Sequence, residues 1–254
     1  MTTRTRTLAA DLNLNLLEQG SGRPVLLLHG GGGPRSIAGF ADAMAQGAHV
    51  IAPVHPGFDG TPRPERLGSV EALAATYLGL LEQMALKDVL VIGFSMGGWI
   101  ASSMAARDAT RLRGVVLVNA VGIVVEAEPV ADIFGMNPQE ISKLSYHDPE
   151  KFRIVPTPEQ QAAFAANIRT LAVYGGTMKD PGLAGRLKTV QTPALVAWGE
   201  SDRIATPAYG QAYAKAFGNG RFASIAEAGH MPQIEQPARL RALIEEFDAS
   251  LKMN

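Results

Sequence analysis

Asp88-Val89-Leu90-Val91-Ile92-Gly93-Phe94-Ser95-Met96-Gly97-Gly98-Trp99 is the stretch whose reading decides the fold. It opens as a continuous apolar run, partly β-branched, of the kind that a parallel strand buried on both faces requires. It continues into Trp99-Ile100-Ala101-Ser102-Ser103-Met104-Ala105-Ala106, which reads as a helix with a small-residue face. Between the two lies a G-x-S-x-G, Gly93-Phe94-Ser95-Met96-Gly97. A serine at a sharp strand-to-helix turn takes a strained backbone conformation, so the residues two before and two after it must be small. The turn lifts the hydroxyl clear of the sheet, and the helix that follows points its first N–H groups at whatever the serine attacks. Five residues alone would also fit an ordinary tight turn. The strand before and the helix after favour chemistry, and Ser95 is the candidate nucleophile.

Outward from this stretch, strand and helix patterns alternate. Thr5 to Ala10 and Leu12 to Leu17 alternate in the strand manner, and Val25-Leu26-Leu27-Leu28 is a buried strand. A helix is expected from Ile37 to Ala45, a strand at Val50-Ile51-Ala52, and a helix capped by Ser69 with Val70, Leu73, Ala74, Tyr77, Leu80, Leu81 and Met84 on one stripe. Val115 to Val118 forms the next strand. The rhythm stops near Ile123, and Glu126 to Thr189 holds prolines and short helical pieces, the best being Pro158 to Val173. It resumes with a strand at Pro193 to Trp198, a helix from Pro207 to Phe217, a strand at Phe222 to Ile225 and a helix from Ala238 to Leu251. The expected fold is α/β: a mostly parallel central sheet with helices on both faces. Residues 1–123 and 190–254 make its core, and residues 124–189 form a helical cap inserted after the sixth strand.

Bulk properties narrow the partners. A formal net charge of -1 gives no electrostatic reason to expect nucleic acid or an anionic membrane. The chain has no cysteine, so disulfides, thiolate metal sites and a cysteine nucleophile are excluded. No apolar run approaches the ~18 residues that span a bilayer, and Leu8 to Leu17 is broken by Asp11, Asn13 and Asn15 where a signal core would be apolar. A cytoplasmic protein acting on a small molecule is expected, with no metal and no cofactor.

A serine hydroxyl needs a base within hydrogen-bond reach, itself oriented by a third group. Three loops, each after an expected strand, converge at the carboxyl edge of such a sheet. His29-Gly30-Gly31-Gly32-Gly33 suits an oxyanion hole built from the backbone N–H groups of Gly31 and Met96. The segment lacks the pattern of a phosphate loop, and Arg35 stands where a dinucleotide fingerprint needs its last glycine. His29 reads as a brace for the loop. Trp198-Gly199-Glu200-Ser201-Asp202 offers Asp202 as the orienting acid, with Glu200 as the second candidate. Gly229-His230-Met231-Pro232 offers His230 as base; of the five histidines only this one follows the acid.

These four segments, continued by Glu235-Gln236-Pro237, resemble the oxyanion, elbow, acid and base segments of the α/β-hydrolase-fold enzymes, and the likeness covers essentially the whole chain. The resemblance implies acyl transfer: Ser95 attacks a carbonyl, His230 takes and returns the proton, and water releases the acyl group. The substrate would lie between cap and sheet, with Phe58, Phe94, Ile133, Phe134, Phe164, Leu171, Met96 and Met231 as candidate walls, and an apolar ester is favoured. Carbon–carbon bond hydrolases of meta-cleavage pathways share the triad. As that family is known, they place asparagine before the serine, tryptophan after the histidine and a cap arginine on a carboxylate. Phe94 and Met231 depart from the first two; Arg153 or Arg169 could supply the third. Cofactor-free perhydrolases use the same residues, and a ligand-sensing receptor on the same fold is the reading from another class. Oligomeric state is left open.

Overall fold

The computed structural model describes residues 2–153 and 155–251. Eight strands form one sheet: β1 (Thr2–Ala9), β2 (Leu12–Gln19), β3 (Pro24–Leu28), β4 (His49–Pro53), β5 (Val89–Phe94), β6 (Leu112–Val118), β7 (Ala194–Gly199) and β8 (Gly220–Ile225). Their spatial order is β1-β2-β4-β3-β5-β6-β7-β8. β2 pairs antiparallel with β1 and with β4; all other neighbours are parallel. The parallel run is why the strands read as continuous apolar stretches: helices cover both of its faces.

Side-chain parity divides the core in two. Leu26, Leu28, Val89, Val91, Val115, Leu117, Val196 and Trp198 point to the face covered by α2 (Val70–Gln83), α3 (Met96–Arg107) and α7 (Pro207–Ala216). Val25, Leu27, Leu90, Ile92, Phe94, Val116, Val118 and Leu195 point to the other, covered by α1 (Ala38–Met44) and α9 (Pro237–Ser250). Ser69 caps α2 by accepting from the Ala72 N–H at 3.2 Å. The helix expected from Ile37 starts at Ala38, because Pro34–Ile37 forms a separate 3₁₀ turn at the end of the glycine-rich loop.

Between β6 and β7 the chain builds α4 (Pro138–Ser145), α5 (Pro158–Gly175) and α6 (Leu183–Leu187). Among the described residues this segment holds no strand, only an isolated bridge between Gly122 and Lys179. Both longer helices start on capping boxes, Asn137 with Glu140 and Thr157 with Gln160, each with a proline in the first turn. α8 (Pro232–Glu235) is a single turn after the β8 loop. No helix among the described residues is long and apolar enough to cross a membrane.

Candidate active site

Ser95 stands between β5 and α3 with φ 52° and ψ −116°, a conformation that L-residues rarely adopt. The turn is too tight for side chains around it. A Cβ on Gly93 would lie 2.1 Å from the Gly97 carbonyl oxygen, and one on Gly97 would lie 2.1 Å from that of Leu28. The serine backbone is tied to the neighbouring strand end: its N–H donates to Val118 O at 3.0 Å, and its carbonyl accepts from Val121 N at 3.4 Å. Strain at this position is held by the surrounding ladder, as it must be to persist.

The glycine-rich loop after β3 runs directly beside it, since a Cβ on Gly30 would be 2.9 Å from the Cβ of Ser95. Among the described residues, neither the Gly31 N–H nor the Met96 N–H donates a hydrogen bond within the protein. Met96 opens α3, so its N–H has no acceptor one turn back and carries the positive end of the helix dipole. Leu171 of α5 lies over the loop: its Cδ2 is 2.7 Å from where a Gly31 Cβ would be.

Opposite the serine, three strand ends meet around a carboxylate. Asp202 Oδ1 accepts from the N–H groups of Ile204 at 2.8 Å and Ala205 at 3.1 Å. Its Oδ2 accepts from Asn119 Nδ2 at 2.6 Å and faces His230 Nδ1 at 2.8 Å. Asp202 and His230 are 3% and 7% exposed, so the pair is shielded from bulk water. Four hydrogen-bond contacts fix the buried carboxylate in place, and its Oδ2, facing Nδ1, holds the imidazole with its proton on that nitrogen. That leaves His230 Nε2 without a hydrogen-bonded partner among the described residues. Glu200 is exposed and takes no part.

Asn119 is a residue that the sequence reading did not single out. It follows β6 with φ 46°, a conformation asparagine tolerates better than most residues, and it is fully buried. Besides Asp202, it donates to Gly229 O at 3.3 Å and accepts from Gly199 N at 3.3 Å, so one side chain spans the ends of β6, β7 and the loop after β8. A lone polar residue closing the run Val115 to Val118 was the available signal.

The His230 loop is anchored to α4. The His230 N–H donates to Ser145 O at 2.6 Å, and the Arg203 N–H donates to Leu144 O at 3.2 Å. Glu235, 8% exposed, accepts from Gly229 N at 2.6 Å and from His147 N at 2.8 Å. α5 is anchored at the other end of the sheet edge. Asn167 and Asp59 exchange two hydrogen bonds, Thr170 donates to Gly57 O at 2.9 Å, and Tyr174 donates to Pro56 O at 2.9 Å.

The expected walls separate into two groups. Phe94 is corrected: it shares strand parity with Leu90 and Ile92, so its ring turns down into the core beneath α1 and packs edge-on to Phe40 at 5.7 Å. Phe58 is fully buried, edge-on to the His29 ring at 4.9 Å and stacked on Tyr174 at 6.5 Å, and Met96 is also fully buried. Ile133 is buried, whereas Phe134, Phe164 and Met231 are half-buried. Arg153 pairs with Glu150 at 3.5 Å on the surface, and Arg169 is exposed. Ser95 is half-buried, and no hydrogen bond joins its hydroxyl to His230 among the described residues. Catalytic contacts of this kind are often long before a substrate arrives.

The chain is similar to known hydrolases in sequence and in fold. The chain is 28% identical to a 2-hydroxymuconate semialdehyde hydrolase of Pseudomonas putida, over 94% of this chain and 92% of that one. An esterase of Thermogutta terrifontis superposes with a TM-score of 0.75 at 25% identity, over 97% of this chain and 98% of that one. A 2-hydroxy-6-oxo-6-phenylhexa-2,4-dienoate hydrolase of Rhodococcus sp. strain RHA1 superposes with a TM-score of 0.80 at 21% identity, covering 98% and 99%. With residues 25–243 also matching the profile of that family, the chain belongs to the alpha/beta hydrolase family.

Proposed function

We propose that the chain is a serine hydrolase that cleaves an ester of a small, largely apolar substrate through an acyl-enzyme. Ser95 Oγ attacks the carbonyl carbon while His230 Nε2 takes the hydroxyl proton. The developing oxyanion is received by the N–H groups of Gly31 and Met96, and collapse of the tetrahedral species expels the alcohol with the proton returned by His230. Water, deprotonated by the same nitrogen, releases the acid. Asp202 fixes the tautomer and stabilises the imidazolium. The observation that carries this reading is the shielded 2.8 Å contact of Asp202 Oδ2 with His230 Nδ1, which leaves one free ring nitrogen at the sheet edge that holds the strained serine. The α4–α6 segment acts as the cap, with Leu171 bounding the site above the oxyanion loop.

A second reading is carbon–carbon bond hydrolysis, favoured by two relatives from Pseudomonas named 2-hydroxymuconate semialdehyde hydrolase, 28% and 26% identical and each matching 94% of this chain. The side chains favour the ester. Neither Phe94, whose ring turns into the core, nor the apolar Met231 sets a polar group beside the serine or the histidine, and the cap arginines Arg153 and Arg169 lie on the surface. Neither of these two arginines is buried at the site as the partner of a substrate carboxylate would be. Turnover of p-nitrophenyl acetate and butyrate and of 2-hydroxymuconate semialdehyde by wild type and Ser95→Ala tests both. The ester reading expects ester turnover that Ser95→Ala abolishes; turnover of the semialdehyde alone overturns it in favour of the second.

A further inference from the structure

Beneath the glycine-rich loop lies a buried polar chain that the acid–base chemistry does not use. His29 Nδ1 faces Gly30 O at 2.8 Å, and His29 Nε2 faces the backbone N–H of His55 at 3.1 Å. His55 Nε2 faces His29 O at 2.9 Å, and its Nδ1 faces the Tyr77 hydroxyl. His29, His55 and Tyr77 are all fully buried. The partners leave one assignment of protons. A backbone N–H only donates, so His29 Nε2 is the acceptor and Nδ1 carries the proton to the Gly30 carbonyl. A carbonyl only accepts, so His55 Nε2 carries the proton and Nδ1 accepts from Tyr77.

The Gly30 carbonyl also accepts from the Gly33 N–H at 3.1 Å. Both its lone-pair directions are thereby used, and the orientation of the peptide that follows is fixed. In a trans peptide, the form found throughout the described residues, C=O and N–H point in opposite directions within one plane. Holding the Gly30 oxygen toward His29 therefore turns the Gly31 N–H the other way.

We propose that His29 is the positioning residue of the oxyanion hole: its Nδ1–H, kept in one tautomer by His55 and Tyr77, orients the Gly30–Gly31 peptide and so aims the Gly31 N–H. The proposal rests on the assignment of that N–H as an oxyanion donor. Burial supports it by lowering the His29 pKa to about 4 and that of His55 well below its usual range, so both rings stay neutral as the assignment demands. His29 acts through the peptide and touches no reacting atom.

Two substitutions separate the ends of the imidazole. In His29→Asn the amide Nδ2 replaces Nδ1 and still donates to Gly30 O, but nothing accepts from the His55 N–H. In His29→Gln the side-chain oxygen reaches the His55 N–H and the bond to Gly30 O is lost. With p-nitrophenyl butyrate, His29→Gln should lose about 30- to 300-fold in kcat with KM within about threefold, near the effect of losing an oxyanion donor. Its affinity for a trifluoromethyl ketone, which forms a tetrahedral adduct, should fall in parallel. His29→Asn should keep kcat within about fivefold while melting earlier, because it leaves a buried donor unpaired. Equal kcat losses in the two variants, or the larger loss in His29→Asn, overturn the proposal while Ser95 and His230 keep their roles. Wild type inert towards esters and the ketone overturns the site assignment itself, and the proposal with it. Should both variants fail to fold, ¹⁵N-edited NMR of wild type decides: protons on His29 Nδ1 and His55 Nε2 support the proposal, and a proton on His29 Nε2 overturns it.

Discussion

The two sides of the serine are built on opposite electrostatic principles. On the acid–base side a buried carboxylate gathers four hydrogen bonds from Asn119, Ile204, Ala205 and His230, an arrangement suited to a charge that must be present. On the oxyanion side His29, His55 and Tyr77 form a chain in which burial keeps each ring neutral. The first side stabilises an imidazolium that appears during reaction; the second holds a peptide dipole still before any charge appears. Each side is also tied to its own helix of the inserted segment, His230 to α4 through Ser145 O and the Pro56–Asp59 loop to α5 through Asn167, Thr170 and Tyr174. A perturbation on one side should therefore change the proton chemistry, and one on the other should change transition-state binding or acid stability.

Asp202→Asn strikes the charged side hardest. The Ile204 and Ala205 N–H groups would hold the amide oxygen, leaving the NH₂ facing His230 and reversing its tautomer. A loss of about 10⁴-fold in kcat is expected, checked with p-nitrophenyl butyrate; a loss under tenfold would remove Asp202 from its role. Asn119→Ala keeps the carboxylate but deletes one of its donors and the bridge between strand ends. About a tenfold loss of kcat is expected, together with about 1–3 kcal/mol of stability, measured by ester turnover and urea unfolding.

The neutral side should break with acid. The native pKa of His29 lies at about 4 and its ordinary value at 6.5. Below pH 6.5 the unfolded chain binds a proton that the native ring refuses, so stability is full above 6.5 and falls as pH drops towards 4. His29 alone accounts for about 3 kcal/mol of that loss. His55, similarly depressed, adds to it, and Asp59 is the nearby charge that opposes it. Unfolding midpoints of wild type and His29→Asn between pH 7 and 4.5 isolate the contribution: the wild-type slope should be the steeper, and equal slopes would contradict a neutral buried His29. The smallest effect is expected at Leu171 above Gly31. Leu171→Val should raise the preference for butyrate over acetate about three- to tenfold in kcat/KM; an unchanged ratio would place the acyl chain elsewhere.

Much of the sheet was legible because buried parallel strands write themselves as apolar runs and the connecting helices carry their caps in sequence. The segments around Ser95, Asp202 and His230 were legible because each follows such a run, so chain order and strand polarity alone bring them to one edge. Adjacency to the serine does not decide where the Phe94 ring points; strand parity does, and it groups Phe94 with Leu90 and Ile92. Asn119, His55 and Tyr77 escaped for a different reason. Their partners are 83, 26 and 22 residues away, and no local pattern announces a hydrogen bond formed only when β4, β6, β7 and α2 have packed.

Reaction with diethyl p-nitrophenyl phosphate, followed by peptide mass spectrometry, tests the central claim most directly, because phosphorylation needs both an activated serine and an oxyanion site. The account expects one diethylphosphoryl group per chain, on the peptide carrying Ser95, formed at least a hundredfold more slowly in His230→Gln by loss of the general base. An unmodified Ser95, or labelling equally fast without His230, would contradict it.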